Sequence, residues 1–85
     1  MAEQEIGVVT HWFGKIMVAG ISLTGGGLKV GDRIHVVGHT SDFEQTVDSM
    51  EVEHGSIEEV AAGDDVGIRM AEHVREHDKV FKVVD

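Results

Sequence analysis

Apolar residues along this chain gather in short runs rich in Val and Ile, and glycines separate the runs. Alternation with a period of two, punctuated by Gly, Asp and Ser, is the mark of β-strands joined by tight turns. Six strands are predicted. "IGVVTHWF" (Ile6–Phe13) runs up to Gly14, and "KIMVAGISL" (Lys15–Leu23) leads into the triplet Gly25-Gly26-Gly27. Both carry apolar residues in both phases, as strands do when they are covered on two sides or closed into a small barrel. "DRIHVVGH" (Asp32–His39) puts Ile34 and Val36 on one face, and "TSD" (Thr40–Asp42) reads as a hairpin turn. In "FEQTVDSMEVEH" (Phe43–His54), Phe43 and Val47 share one phase while Met50 and Val52 take the other. An inserted residue slips the phase in this way, so a β-bulge is predicted near Asp48–Ser49. "DVGIRM" (Asp65–Met70) alternates with Val66, Ile68 and Met70 inward, and "VFKVV" (Val80–Val84) supplies the sixth strand.

Two connecting segments read as single helical turns. In "GSIEEVAAGD" (Gly55–Asp64), Ser56 followed three residues later by Glu59 has the form of a capping box. "AEHVREHDK" (Ala71–Lys79) is the second. The expected architecture is all-β, a six-stranded closed antiparallel barrel. It forms a single domain over residues 1–85, with its ordered core at about 5–84, and Ile6, Val8, Val18, Ile34, Ile68 and Val80 are among the side chains expected inside.

Composition narrows the functional classes. Sixteen Asp and Glu against seven Lys and Arg give a formal charge of −9. An acidic surface repels the phosphate backbone, which excludes a binder of bulk duplex nucleic acid and leaves only a local contact with one nucleotide end. The absence of cysteine removes disulfides, thiolate metal sites and thiol nucleophiles. No apolar run reaches the roughly 20 residues of a membrane span, and "MAEQE" is unlike a signal peptide, so a cytoplasmic protein without membrane contact is expected.

Several patterns invite chemistry and fail to support it. The glycine triplet followed by Lys29 suggests a phosphate cradle. That loop, however, requires G-x-x-x-x-G-K-[ST] ahead of a helix, and here Val30 and Gly31 follow the lysine and the chain continues as a strand. The triplet therefore reads as a glycine-lined turn supplying positive φ at a barrel corner. "DDVG" (Asp64–Gly67) mimics a nucleotide-switch motif with no phosphate loop to serve. His35 and His39 lie roughly 13 Å apart along a strand and cannot share an ion. His73 and His77 would be neighbours, about 5–6 Å between Cβ atoms, on a helical turn. With Glu72 or Glu76 they are the weak metal candidates of an alternative reading as a small His-containing metal-binding domain, although no cofactor is expected. Ser22, Ser41, Ser49 and Ser56 lack a nucleophile elbow, and the adjacent Glu58 and Glu59 point apart, so the chain is not expected to be an enzyme.

The order of parts resembles domain 2 of the translational GTPases, the β-barrel of the elongation factor Tu type. The residues that carry the likeness are "VAG" (Val18–Gly20), "GGLKVGDRIHVVG" (Gly26–Gly38), "SMEV" (Ser49–Val52) and "AAGDDVGIRM" (Ala61–Met70). The resemblance implies a stand-alone interaction module without GTPase activity, binding a protein partner or, locally, the 3′ end of a tRNA, with a translation component such as tRNA or a ribosome-associated factor as partner. It also implies a ligand- or RNA-binding set. Glu51 matches the family glutamate that lies against the terminal adenosine, and His54, Asp65 and Arg69 match positions around it. A regulatory protein with no RNA contact is the further alternative.

Overall fold

The computed structural model of the protein describes residues 2–53 and 55–84. Ten strands run in chain order: β1 (Ala2–Phe13), β2 (Val18–Leu23), β3 (Leu28–Lys29), β4 (Arg33–Val37), β5 (Asp42–Thr46), β6 (Met50–Val52), β7 (Gly55–Ile57), β8 (Glu59–Val60), β9 (Asp65–Arg69) and β10 (Lys79–Val84). Eight of them form one antiparallel sheet in the order β5-β4-β10-β1-β2-β9-β6-β7, and β3 pairs with β8 apart from it. The first and last strands of the chain thus lie side by side in the middle of the sheet, with Ala2 opposite Val84.

The all-β class is as expected, but the sheet is not closed into a barrel, because β5 and β7 are its two edges. The predicted fourth strand is in fact two. Phe43 belongs to β5 and Met50 to β6, at opposite ends of the sheet, and residues 47–49 carry the chain across. The phase change near Asp48–Ser49 therefore marks a crossover and not a bulge. Val47 is tied to the β3–β4 turn instead, its N–H donating to Asp32 O (2.8 Å) and its carbonyl accepting from Gly31 N (2.9 Å). One side chain spans the gap on the open side. Gln45 Nε2 donates to Arg69 O at 2.8 Å, and Ala71 N donates to Gln45 Oε1 at 2.7 Å. The amide thus supplies the donor and acceptor of a missing backbone rung.

The core collects Ile6, Val9, Ile21, Leu23, Ile34, Val36, Ile68, Val74 and Val80, all essentially without solvent exposure. Strand β1 reaches it by an uncommon route. Its pairing with β10 slips at Ile6, and its pairing with β2 slips at Thr10. Each bulge adds a residue and reverses the phase. Ile6 and Val9 are consequently both buried and Trp12 packs against the core, whereas Val8, expected inside, is only half-buried, as is Val18.

Neither helical turn forms. Ser56 lies in β7 opposite Glu51, and Glu59 lies in β8 opposite Lys29, so backbone pairing overrides the capping-box signal. Residues 71–78 form irregular turns in which Val74 is buried and His77 takes φ 76°. The buried carboxylate of Asp78 accepts from Arg75 N at 3.0 Å and holds the last of these turns together.

The glycine triplet is a site of close approach and not of positive φ. A Cβ on Gly25 would overlap Glu5 O, and one on Gly27 would sit 2.8 Å from Val60 O. Positive φ belongs to Gly31 (100°) and Gly63 (95°). In "KVGD", Asp32 N donates to Lys29 O and Lys29 N donates to Asp32 Oδ2, both at 3.0 Å, a turn locked from both ends.

Candidate functional site

The outer face of the β1–β2–β9–β6 half of the sheet carries a groove of about 490 Å³. Its floor is bare backbone. Gly20 on β2 pairs directly with Gly67 on β9, and Gly67 in turn faces Glu51 on β6. The alternation Val66–Gly67–Ile68 sends the flanking residues to the core and leaves the glycine outward. Two facing glycines remove the side chains that would otherwise cover the sheet there, and such positions are where another backbone can come close.

One wall is the β1–β2 hairpin. The Thr10 bulge, stabilised by Thr10 Oγ1 donating to Gly20 O at 3.2 Å, turns the end of β1 so that Trp12 packs inward and Phe13 outward. The His11 ring lies against Phe13 with centroids 4.3 Å apart. Phe13 and Ile16 are 48% and 58% exposed, and with Val18 and Val52 they make the groove apolar. Hairpin tips are ordinarily polar, so an apolar one calls for a functional explanation.

The rim is acidic. Glu51, Glu53 and Asp65 line the groove, and among the described residues its lining includes no Lys, Arg or His. Of the residues singled out in the sequence, Glu51 and Asp65 therefore share this site. Arg69 projects from the same strand face into an adjoining hollow of about 230 Å³ that it shares with Ile16, Val18, Ser49 and Glu51. His54 lies outside the described residues. His73 and His77 do not form a helical pair. The His73 ring stacks on Trp12 with centroids 5.2 Å apart, and His77 occupies the positive-φ turn. Among the described residues no three His, Asp or Glu side chains are grouped to hold a metal ion.

Sequence reasoning missed Phe13, Ile16, Gly20 and Glu53. The readable signal was "FGKIM" (Phe13–Met17), a turn segment made mostly of apolar residues.

A second polar cluster stands on the outer face of the other half of the sheet. His35 Nδ1 lies 2.9 Å from both Glu3 carboxylate oxygens, and Nε2 lies 2.5 Å from Asp42 Oδ1. The hydrogen bond to Asp42, and then that to Glu3, raise the imidazole pKa above its ordinary 6.5.

Comparison with known proteins points away from translation. No protein-family model matches the chain. A Methanocaldococcus jannaschii protein named as an uncharacterized protease is 38% identical over 78 residues, which is 91% of this chain and 19% of that protein. The chain thus spans about one fifth of the relative's length. The crystal structure of the C-terminal domain of a Geobacillus thermoleovorans protein described as a U32 peptidase superposes with a TM-score of 0.87 at 14% identity, covering 95% of this chain and 93% of that one. Its selenomethionine variant gives 0.83 at 14% identity, with 91% and 96% covered. These findings overturn the likeness to domain 2 of the translational GTPases, and with it the translation-factor-like module. The misleading motifs have a physical origin, since "KVGD" and "AGDD" encode turns at Gly31 and Gly63 that many β-folds need. The expectation that the chain is not an enzyme conflicts with relatives named as proteases, although the solved one is a C-terminal domain. In fold, the protein is similar to the C-terminal domain of a U32 peptidase, and in sequence to a minor part of a protein named as a protease.

Proposed function

We propose that this chain acts as the auxiliary β-domain of a U32-type peptidase, holding polypeptide for a catalytic portion of the kind that makes up the rest of the archaeal relative. The observation that carries this reading is the pattern of coverage. Similarity runs along nearly all of this chain but occupies only 19% of the protease-named relative, and the fold agrees with a domain described as C-terminal in such a protein. The groove supports it further, because apolar surface left open on a small domain marks an interaction site.

A domain exchange tests the proposal. In the archaeal relative, the segment that aligns with this chain is deleted, replaced by this chain, or replaced by an unrelated β-domain of similar size, and hydrolysis of fluorescently quenched casein is followed. The expected result is loss of turnover on deletion and recovery only with this chain. Equal turnover in all three proteins overturns the proposal, as does cleavage of casein by the isolated chain.

A further inference from the structure

We infer that the groove floored by Gly20 and Gly67 binds an extended polypeptide segment in which apolar side chains alternate with lysine or arginine. This inference deepens the auxiliary-domain reading and rests on it, because it assigns the class of polypeptide that such a domain would present. Three features of the site select this occupant.

The first is the floor. With no Cβ on either glycine, an incoming main chain can lie against the sheet at a distance that any larger residue would deny. A Cβ at Gly20 would touch His11 Cβ and Thr10 Oγ1 at 3.5 Å, and one at Gly67 would crowd Glu51 Cγ and Val18 Cγ1 at 3.3 Å, so a side chain at either position would narrow the floor between those walls. The second is the apolar wall. Phe13 and Ile16 are held out by the bulged hairpin, where they can receive aliphatic side chains projecting from one face of a strand. An extended segment delivers such side chains at every second residue, about 6.6 Å apart, and delivers the intervening ones to the opposite side.

The third is charge. Glu51, Glu53 and Asp65 border the groove with no cation among the described residues of its lining, on a chain whose formal charge is −9. Complementary potential selects partners and repels like charge. Nucleic acid and anionic lipid headgroups are rejected on this ground. A second copy of the chain is also disfavoured, because it would bring a like-charged rim against this one. Lysine and arginine suit the rim further because their aliphatic stems cover apolar surface while their heads reach carboxylates.

The experiment uses the isolated chain and three fluorescein-labelled hexapeptides, alternating Lys-Leu, Glu-Leu and Lys-Ser, with binding read by anisotropy and located by amide chemical-shift changes. The Lys-Leu peptide is expected to bind with shifts centred on Gly20 and Gly67, the Glu-Leu and Lys-Ser peptides much more weakly. The combined substitution Glu51→Gln, Glu53→Gln and Asp65→Asn should raise Kd about tenfold, the product of three modest surface pairings. Gly20→Val should fill the floor and abolish binding. Phe13→Ser and Ile16→Ser, at exposed positions where folding does not depend on them, should weaken it independently.

Equal affinity for the Lys-Leu and Glu-Leu peptides overturns the inference. So do absence of binding, shifts confined to another face, binding indifferent to Gly20→Val, or a dimer in sedimentation that Gly20→Val dissociates. Failure here with intact recovery of casein turnover in the domain exchange would remove only the groove assignment. Peptide binding without that recovery would instead remove the auxiliary-domain reading.

Discussion

At His35 both imidazole nitrogens face carboxylate oxygens, Nδ1 toward Glu3 on β1 and Nε2 toward Asp42 on β5. A neutral imidazole donates from one nitrogen only, so the geometry favours the doubly protonated ring. Because its pKa in the folded protein is raised above 6.5, the cation adds stability that is fully present below about pH 6.5 and is lost as pH climbs through the raised value. Calorimetric melting between about pH 6 and pH 8.5 should therefore show the Tm falling as pH rises, and His35→Gln should flatten that slope. An unchanged slope in the variant would assign the effect elsewhere. At the same scale Glu51 and Asp65 were legible, because strict alternation in "DVGIRM" and "SMEV" orients them outward. For Phe13 and Ile16 only the apolar turn was legible and not the outward orientation of the side chains, which depends on the extra residue at Thr10 that no local pattern announces.

Among the elements, the open side between β5 and β9 hangs on Gln45. Replacing it by leucine leaves the Arg69 carbonyl and the Ala71 N–H to water, at a cost of about 0.5–1.5 kcal/mol in urea denaturation. The Ala71 amide should then exchange its hydrogen faster than the amides paired within β1 and β2. Glutamate at the same position accepts but cannot donate, so Gln45→Glu should lose part of the stability and not recover it. Strand positions were largely readable, since Val- and Ile-rich runs between glycines became β1, β2, β4, β9 and β10. Closure was not readable, because it turns on whether residues 47–49 extend a strand or carry the chain across the molecule, and that is settled by the long-range tie of Val47 to the β3–β4 turn. The capping-box letters at Ser56 and Glu59 were outbid in the same way, by pairing with β6 and β3.

For the molecule as a whole, a small core leaves little margin. Ile68 is fully buried on β9 between Ala19 of β2 and Met50 of β6. Ile68→Ala should cost about 2–5 kcal/mol by chemical denaturation, a large share of the about 5–10 kcal/mol that holds a domain of this size. A loss below about 1 kcal/mol would place that side chain outside the cooperative core.

The pairing of β1 with β10 has a consequence for how the fold is reached. Its inner seam joins the two strands that lie furthest apart in sequence among the described residues, Ala2 against Val84. That seam closes a loop of nearly the whole domain, so the sheet should assemble slowly and as one cooperative unit, with neither half settled ahead of the other.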